Sequence, residues 1–233
     1  MTPALGVHIH RGAGTEEKML AQIVLFDGFD PMDVVAPYEV LWAGGVASGG
    51  GLSVELVSLE GARLVPSGSS GVALSAVGPI DLERVKLLVI PGAVGRVTGD
   101  GPDTIPAILG RAAQSGLPEV IKVAMERRGI IVATVCGGSL ILAMAGLLEG
   151  RHAVSHHEGL AVLEATGAQV VRARVVEDGQ LVTAGGVTSG LDLALYLLER
   201  ELGPQIAHTV EAMFDFERRG TVWKAQGTVP VAM

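Results

Sequence analysis

The sequence predicts an α/β domain whose doubly wound, mostly parallel sheet carries helices on both faces. Three observations predict it. Largely apolar runs at 85–90 and 130–135, interrupted only by Lys86 and Thr134, are too short for helices and read as strands buried on both faces. Strand-like and helix-like patterns follow one another as β-α-β … β-α-β-α … β-α, the order that right-handed parallel crossovers produce. Hydrophobic residues make up 48% of the chain but aromatics only 3%, so the core must be built from Val, Leu, Ile and Ala. A length of 233 residues suits one such domain, and 33 glycines suit its many tight connections.

The first strand covers 21–26, and Asp27-Gly28 turns the chain. Asp30-Pro31 then opens a helix, with Asp30 as N-cap and Pro31 at the first helical position. This helix covers 31–43 and is expected to stop in the cluster Gly44, Gly45, Gly49, Gly50 and Gly51. Residues 52–58 form a second strand, and 71–75 a short extra one. The strand 85–90 ends at Pro91-Gly92, and the polar, glycine-rich stretch 95–106 reads as a surface loop. Helical patterning then runs to Arg128. Residues 130–135 are the next buried strand, and 139–148 the helix after Cys136. A short strand at 152–155 and a helix at 158–166 follow. Strands at 169–177 and 180–183 meet at Asp178-Gly179, a hairpin-favouring pair. Gly185-Gly186 leads into a helix at 189–202, and a last helix covers 204–218. Residues 1–18 are expected to be a flexible extension ahead of a single domain at 19–233.

A net charge of -8 without a basic cluster argues against nucleic acid and against anionic membrane surfaces as partners. The single cysteine excludes an intrachain disulfide and disfavours a cysteine-based metal site. His8 and His10 read as part of a polar leader rather than as metal ligands, and no metal or cofactor is expected. The leader has no apolar run of signal-peptide length. The uncharged stretch 130–148 approaches the length of a bilayer span, but Gly137 and Gly138 sit at its centre. It changes there from β-branched residues to Leu, Ala and Met, which reads as strand, turn and helix. A soluble cytoplasmic protein is the expectation.

In doubly wound folds, sites lie beyond the carboxyl ends of the strands. Three turns fall there: 27–33, 91–96 and 136–139. Cys136 ends a buried strand and begins a helix, whose N–H groups and partial positive charge favour thiolate over thiol. The glycines after it permit a sharp turn, the arrangement of a nucleophile elbow with Cys in place of Ser. The plainer reading is a small buried apolar residue. Asp33 has two readings as well. With Asp30 it forms a box-like pair that satisfies helix N–H groups, or it crosses the crevice to the Cys136 sulfur as a proton carrier. His156, next to His157, either completes a Cys–His pair or sits in a loop as a structural or solvated residue. The N–H groups of Gly92 and Ala93, in Pro91-Gly92-Ala93, could join that of Gly137 in an oxyanion-type cradle. An ordinary turn is the alternative.

Together these residues resemble the ThiJ/PfpI superfamily, stand-alone relatives of class I glutamine amidotransferases. The resemblance runs from Ala21 to about Trp223. It rests chiefly on Ala133-Thr134-Val135-Cys136-Gly137-Gly138-Ser139, Leu147-Leu148-Glu149-Gly150-Arg151 and Ser155-His156. Leu25-Phe26-Asp27-Gly28-Phe29 with Asp33, Pro37-Tyr38-Glu39-Val40, and the segment 185–192 support it. The resemblance implies a flavodoxin-like fold, an elbow nucleophile at Cys136, an acidic partner at Asp33, a nearby histidine at His156 and a homodimer. Asp33, where glyoxal-using members typically have Glu, looks like the isonitrile hydratase subgroup. Two departures stand out: Gly137 where hydratases usually carry Thr, and Pro91-Gly92-Ala93 in place of Pro-Gly-Gly.

The expected activity is hydration of an isocyanide, a small-molecule substrate, to an N-formamide. The alternatives are glyoxalase- or deglycase-like chemistry on small α-oxoaldehydes and a non-enzymatic redox-responsive protein. No DNA-binding module is recognised after residue 223.

Overall fold

A computed structural model describes residues 18–229. Most of the expected extension, including His8 and His10, lies outside the described residues. The elements are β1 (Met19–Leu25), α1 (Pro31–Ala47), β2 (Leu52–Ser58), β3 (Arg63–Pro66), β4 (Ala73–Ala76), β5 (Gly78–Pro79) and β6 (Val85–Ile90). Then come α2 (Ile105–Gln114), α3 (Leu117–Glu126), β7 (Ile131–Val135), α4 (Gly138–Met144) and β8 (His152–Ala153). A 3-10 turn (His157–Gly159) precedes α5 (Leu160–Ala165), β9 (Gln169–Val170), β10 (Val175–Asp178) and β11 (Leu181–Ala184). The chain continues through α6 (Ser189–Leu202), α7 (Pro204–Phe214) and β12 (Trp223–Lys224).

Eight strands form one sheet in the order β12-β10-β11-β7-β6-β1-β2-β5. Every neighbouring pair is parallel except β10–β11, the hairpin at Asp178-Gly179. Alternate side chains of the central strands go to opposite faces, as the pleat requires. Ile23, Val89 and Ala133 pack with α1, α6 and α7 on one face. Val24, Leu88 and Val132 pack with α2, α3 and α4 on the other. The strand order reverses beside β1, with β2 on one side and β6 on the other, and this opens a crevice at their carboxyl ends. Among the described residues, no helix is long and apolar enough to cross a membrane.

Several boundaries differ from the sequence expectation: α4, expected over 139–148, ends at Met144, and the helix expected over 158–166 is the 3-10 turn followed by α5; packing explains other differences. α1 does not stop at Gly44 but runs through Gly44 and Gly45 to Ala47. A Cβ at Gly44 would enter the Leu198 side chain, and one at Gly45 would meet the Leu52 carbonyl oxygen. These glycines therefore let α6 and β2 approach the helix. The expected strand 169–177 splits into β9, which pairs with β8, and β10, which joins the main sheet. Between them Arg174 turns away to Asp192 of α6, with Nε 2.9 Å from Oδ2. The helical patterning up to Arg128 is two helices, α2 and α3. The last helix ends at Phe214, where Asp215 takes a left-handed conformation. Arg218 then folds back onto Glu199 and Glu211. β12, which the sequence did not signal, brings Trp223 to 4.7 Å from the His152 ring.

Candidate active site

The turn after β7 is clamped around Cys136. Its N–H donates to the carbonyls of Ala184 and Gly185 at 3.1 and 3.0 Å. Its carbonyl accepts from Ser155 Oγ at 2.9 Å and from Ser139 Oγ at 3.2 Å. Held this way, Cys136 adopts φ 56°, a left-handed conformation shared by only one other non-glycine among the described residues. That conformation costs an L-residue roughly 1–2 kcal/mol, and the four hydrogen bonds fix it. Cys136 as a whole is 8% exposed.

Asp33 is fully buried, and its position decides between its two readings. The cap of α1 is Asp30 alone, whose Oδ1 accepts the Met32 N–H at 2.9 Å. Asp33 instead reaches across the crevice, where its Oδ2 accepts the N–H of Gly92 at 2.9 Å. Its Oδ1 is buried without a hydrogen-bond partner. The Cys136 thiol lies beside the carboxyl, close enough to bear on its protonation. Burial, and then the negative charge of Asp30, raise the Asp33 pKa to about 8, against the opposing pull of the Gly92 N–H and the thiol.

Burial likewise pushes the Cys136 thiol up, and the Asp33 charge adds to it, while the Gly137 N–H opposes the shift. This reverses the expectation that a helix N-terminus would favour the thiolate. The one-turn positive end of α4 does not offset desolvation and a carboxylate neighbour. Thiol and carboxyl therefore titrate as a pair in which the proton-rich form is favoured near neutrality.

The three expected cradle groups divide. The N–H of Gly92 is committed to Asp33, so it positions the carboxyl and does not face a substrate. A Cβ at Gly92 would lie 2.6 Å from the Gly137 nitrogen and 2.9 Å from Asp33 Oδ2, so only glycine lets these turns meet. The bridge between Phe29 and Ala93 uses the N–H groups of Asp30 and Val94, at 3.0 and 3.3 Å from their acceptors. Ala93 N–H has no backbone partner among the described residues, and Gly137 N–H acts on the sulfur.

Cys136 opens into a cleft of about 510 Å³, and His156 lines the same cleft. No hydrogen bond joins His156 to Cys136 among the described residues. Its Nδ1 accepts the Glu158 N–H at 3.4 Å, and its ring centre lies 4.1 Å from that of His157. Burial, and then the neighbouring His157, hold its pKa below the usual histidine value, so the ring is neutral at physiological pH. Most of the wall is apolar, including Val94, Val97, Leu109, Leu140, Met144 and Val162.

The chain as a whole matches known proteins. Residues 19–200 match the DJ-1/PfpI family. The chain belongs to that family. It is 33% identical over 197 residues to the isonitrile hydratase of Pseudomonas putida, covering 83% of this chain and 76% of that one. A ThiJ/PfpI family structure from Pseudomonas syringae superposes with a TM-score of 0.66 at 25% identity, over 92% of this chain and 84% of the other. Drosophila melanogaster DJ-1beta superposes with a TM-score of 0.70 at 19% identity, over 86% and 99% of the two chains. These structures share the flavodoxin-like fold.

Within this DJ-1/PfpI chain, sequence reasoning gave no role to Ser139, Ser155 or Leu109. The two serines were visible inside the quoted motifs, but nothing in their spacing said that both would bond one carbonyl. Leu109 explains the room at Gly137, where a Cβ would sit 3.0 Å from Leu109 Cδ1. A threonine there would require Leu109 to move, so Gly137 and Leu109 together shape the wall beside the thiol.

Proposed function

We propose that this DJ-1/PfpI protein hydrates isocyanides to N-formamides through a thioimidate on Cys136. One observation carries the reading: a buried carboxyl, Asp33, is kept protonated near neutrality and anchored beside the only thiol. An isocyanide carbon must gain both a nucleophile and a proton. The Cys136 sulfur supplies the first, and the Asp33 carboxyl the second as it takes the thiol proton. The S–H bond breaks, C–S and C–H bonds form, and the carboxyl is left as it began. Water then adds across the C=N bond, with Asp33 giving a proton to nitrogen and receiving one from water. Collapse breaks the C–S bond, returns the proton to sulfur and releases the formamide. A positioned general acid–base of this kind contributes about 10²- to 10⁴-fold.

The apolar cleft supports the same reading, because a neutral isocyanide with an apolar substituent gains from such a wall. Small hydrated α-oxoaldehydes gain little there. A thiol on a buried residue and disfavoured as thiolate is also poorly suited to redox sensing. The named hydratase relative adds to the case. The test is to mix reduced protein with an aryl isocyanide and follow formamide by chromatography. Turnover that disappears in Cys136→Ala is expected; a folded wild-type protein without turnover would reject the reading.

A further inference from the structure

Beside the reactive cleft, sharing His156 and Val187 with it, lies a second hollow of about 550 Å³. Its lining is of a different kind. Arg172, Arg174, His157 and Ser189 contribute polar groups, and no Asp or Glu lines it. The two arginines are not equivalent. Arg174 is neutralised by Asp192, with Nη2 2.5 Å from Oδ2, and also donates to Thr188 Oγ1 at 3.2 Å. Arg172 is exposed and has no ion pair or hydrogen bond with any described residue.

Arg111, Arg128 and Arg219 also lack a carboxylate partner among the described residues, but none of them lines this hollow or the reactive cleft. Arg63, Arg96, Arg151, Arg200 and Arg218 are each held by a carboxylate. A free guanidinium in a hollow lined by no carboxylate, which adjoins the reactive cleft at His156, favours an anion there, while Glu158, 3.8 Å from His156, stands on the cleft side. Its geometry suits a planar two-oxygen group, which a guanidinium binds through two parallel N–H bonds. The charge count favours one negative charge over two. Arg172 is the uncompensated cation, Arg174 is already paired, and the neutral His156 adds none.

We infer that this hollow is an anion subsite, and that the substrate reacting at Cys136 carries a carboxylate that Arg172 receives. The substrate then has three parts in line: a reacting carbon at the thiol, an apolar middle against the cleft wall, and a carboxylate beyond His156. For the hydratase this means an isocyano-carboxylate. The reacting group rests on the proposed function; the subsite does not.

The experiment separates the two. Cys136 is alkylated with a carboxyalkyl maleimide and, in parallel, with its methyl ester, and the ratio of the two rates is measured. The ratio is taken for the wild type, Arg172→Gln, Arg172→Lys and Arg128→Gln. Arg128 has the same charge at the opposite end of β7 and controls for net charge. Adding an isocyano-carboxylate and its ester as substrates gives the corresponding ratio of kcat/KM. A preference for the acid that falls roughly three- to tenfold in Arg172→Gln is expected, the range of a partly exposed ion pair. It should be partly kept in Arg172→Lys and unchanged in Arg128→Gln. Selective alkylation without any formamide would uphold the subsite while the hydratase reading fails. Equal rates for acid and ester in the wild type, or equal losses in Arg172→Gln and Arg128→Gln, would overturn it.

Discussion

The two walls that flank Cys136 are built differently. Asp33 comes from the first turn of a long helix, is fully buried, and is pinned by the Gly92 N–H. His156 comes from a short connection ahead of a 3-10 turn, is partly exposed, and is engaged with Glu158 and His157. Of the two, only the carboxyl is anchored, unsatisfied at one oxygen and poised near neutral pH. A proton carrier needs a fixed position and a matched pKa, and the helical wall supplies both. The loop wall supplies surface: a neutral imidazole between the reactive cleft and its neighbouring hollow.

The largest expected effect is on the nucleophile. Cys136→Ala should lower formamide formation by about 10³-fold or more, as loss of a nucleophile does. Asp33→Asn comes next. It keeps an oxygen for the Gly92 N–H but cannot carry a proton, so kcat should fall about 10²- to 10⁴-fold. His156→Ala should cost less than about tenfold, the share of a wall residue and not of a proton carrier. Steady-state kinetics on the three variants sharpens the contrast; equal losses in Asp33→Asn and His156→Ala would break it.

The pH dependence follows from the sign of the Asp33 shift. Its pKa is raised, so the native protein holds a proton that the unfolded chain has lost between the ordinary carboxylate value and about 8. The stability linked to this group is full below the ordinary value and declines as pH rises to about 8, at most about 1.4 kcal/mol per pH unit. Thermal melts of the wild type between pH 5 and pH 8 should therefore slope downward more steeply than those of Asp33→Asn (about three pH units). Above this range kcat should drop as pH passes about 8, because the acid form is the working one.

The smallest effect concerns the strained turn. Cys136→Gly should be more stable than Cys136→Ala by about 1 kcal/mol, since glycine accepts the left-handed conformation and alanine does not. Denaturant unfolding of the two variants measures it. Equal midpoints would mean that the clamp of Ser139 and Ser155 stores no strain.

Much of this was legible in the chain. The strands at 52–58 and 85–90 and the helix at 189–202 have the expected limits, because short apolar runs and glycine-flanked helices leave little ambiguity. Asp30-Pro31 marks the start of α1 as written. What failed was tertiary. Gly44 and Gly45 look like a helix stop, and only the nearness of Leu198 and Leu52 shows why the helix needs them. Asp33 is spaced as a capping partner, and only the position of Gly92 draws it away. The thiol sits at a helix N-terminus, yet burial outweighs that short dipole. Periodicity reports local structure; it carries no information on which turn faces which.

The most direct test of hydration through Cys136 is intact-protein mass spectrometry after rapid quenching with an excess of aryl isocyanide. A mass increase equal to the whole isocyanide, located on Cys136 and lost as formamide appears, is the expected result. Formamide formed at the wild-type rate by Cys136→Ala, or turnover with no adduct at any quench time while Asp33→Asn remains fully active, would contradict it.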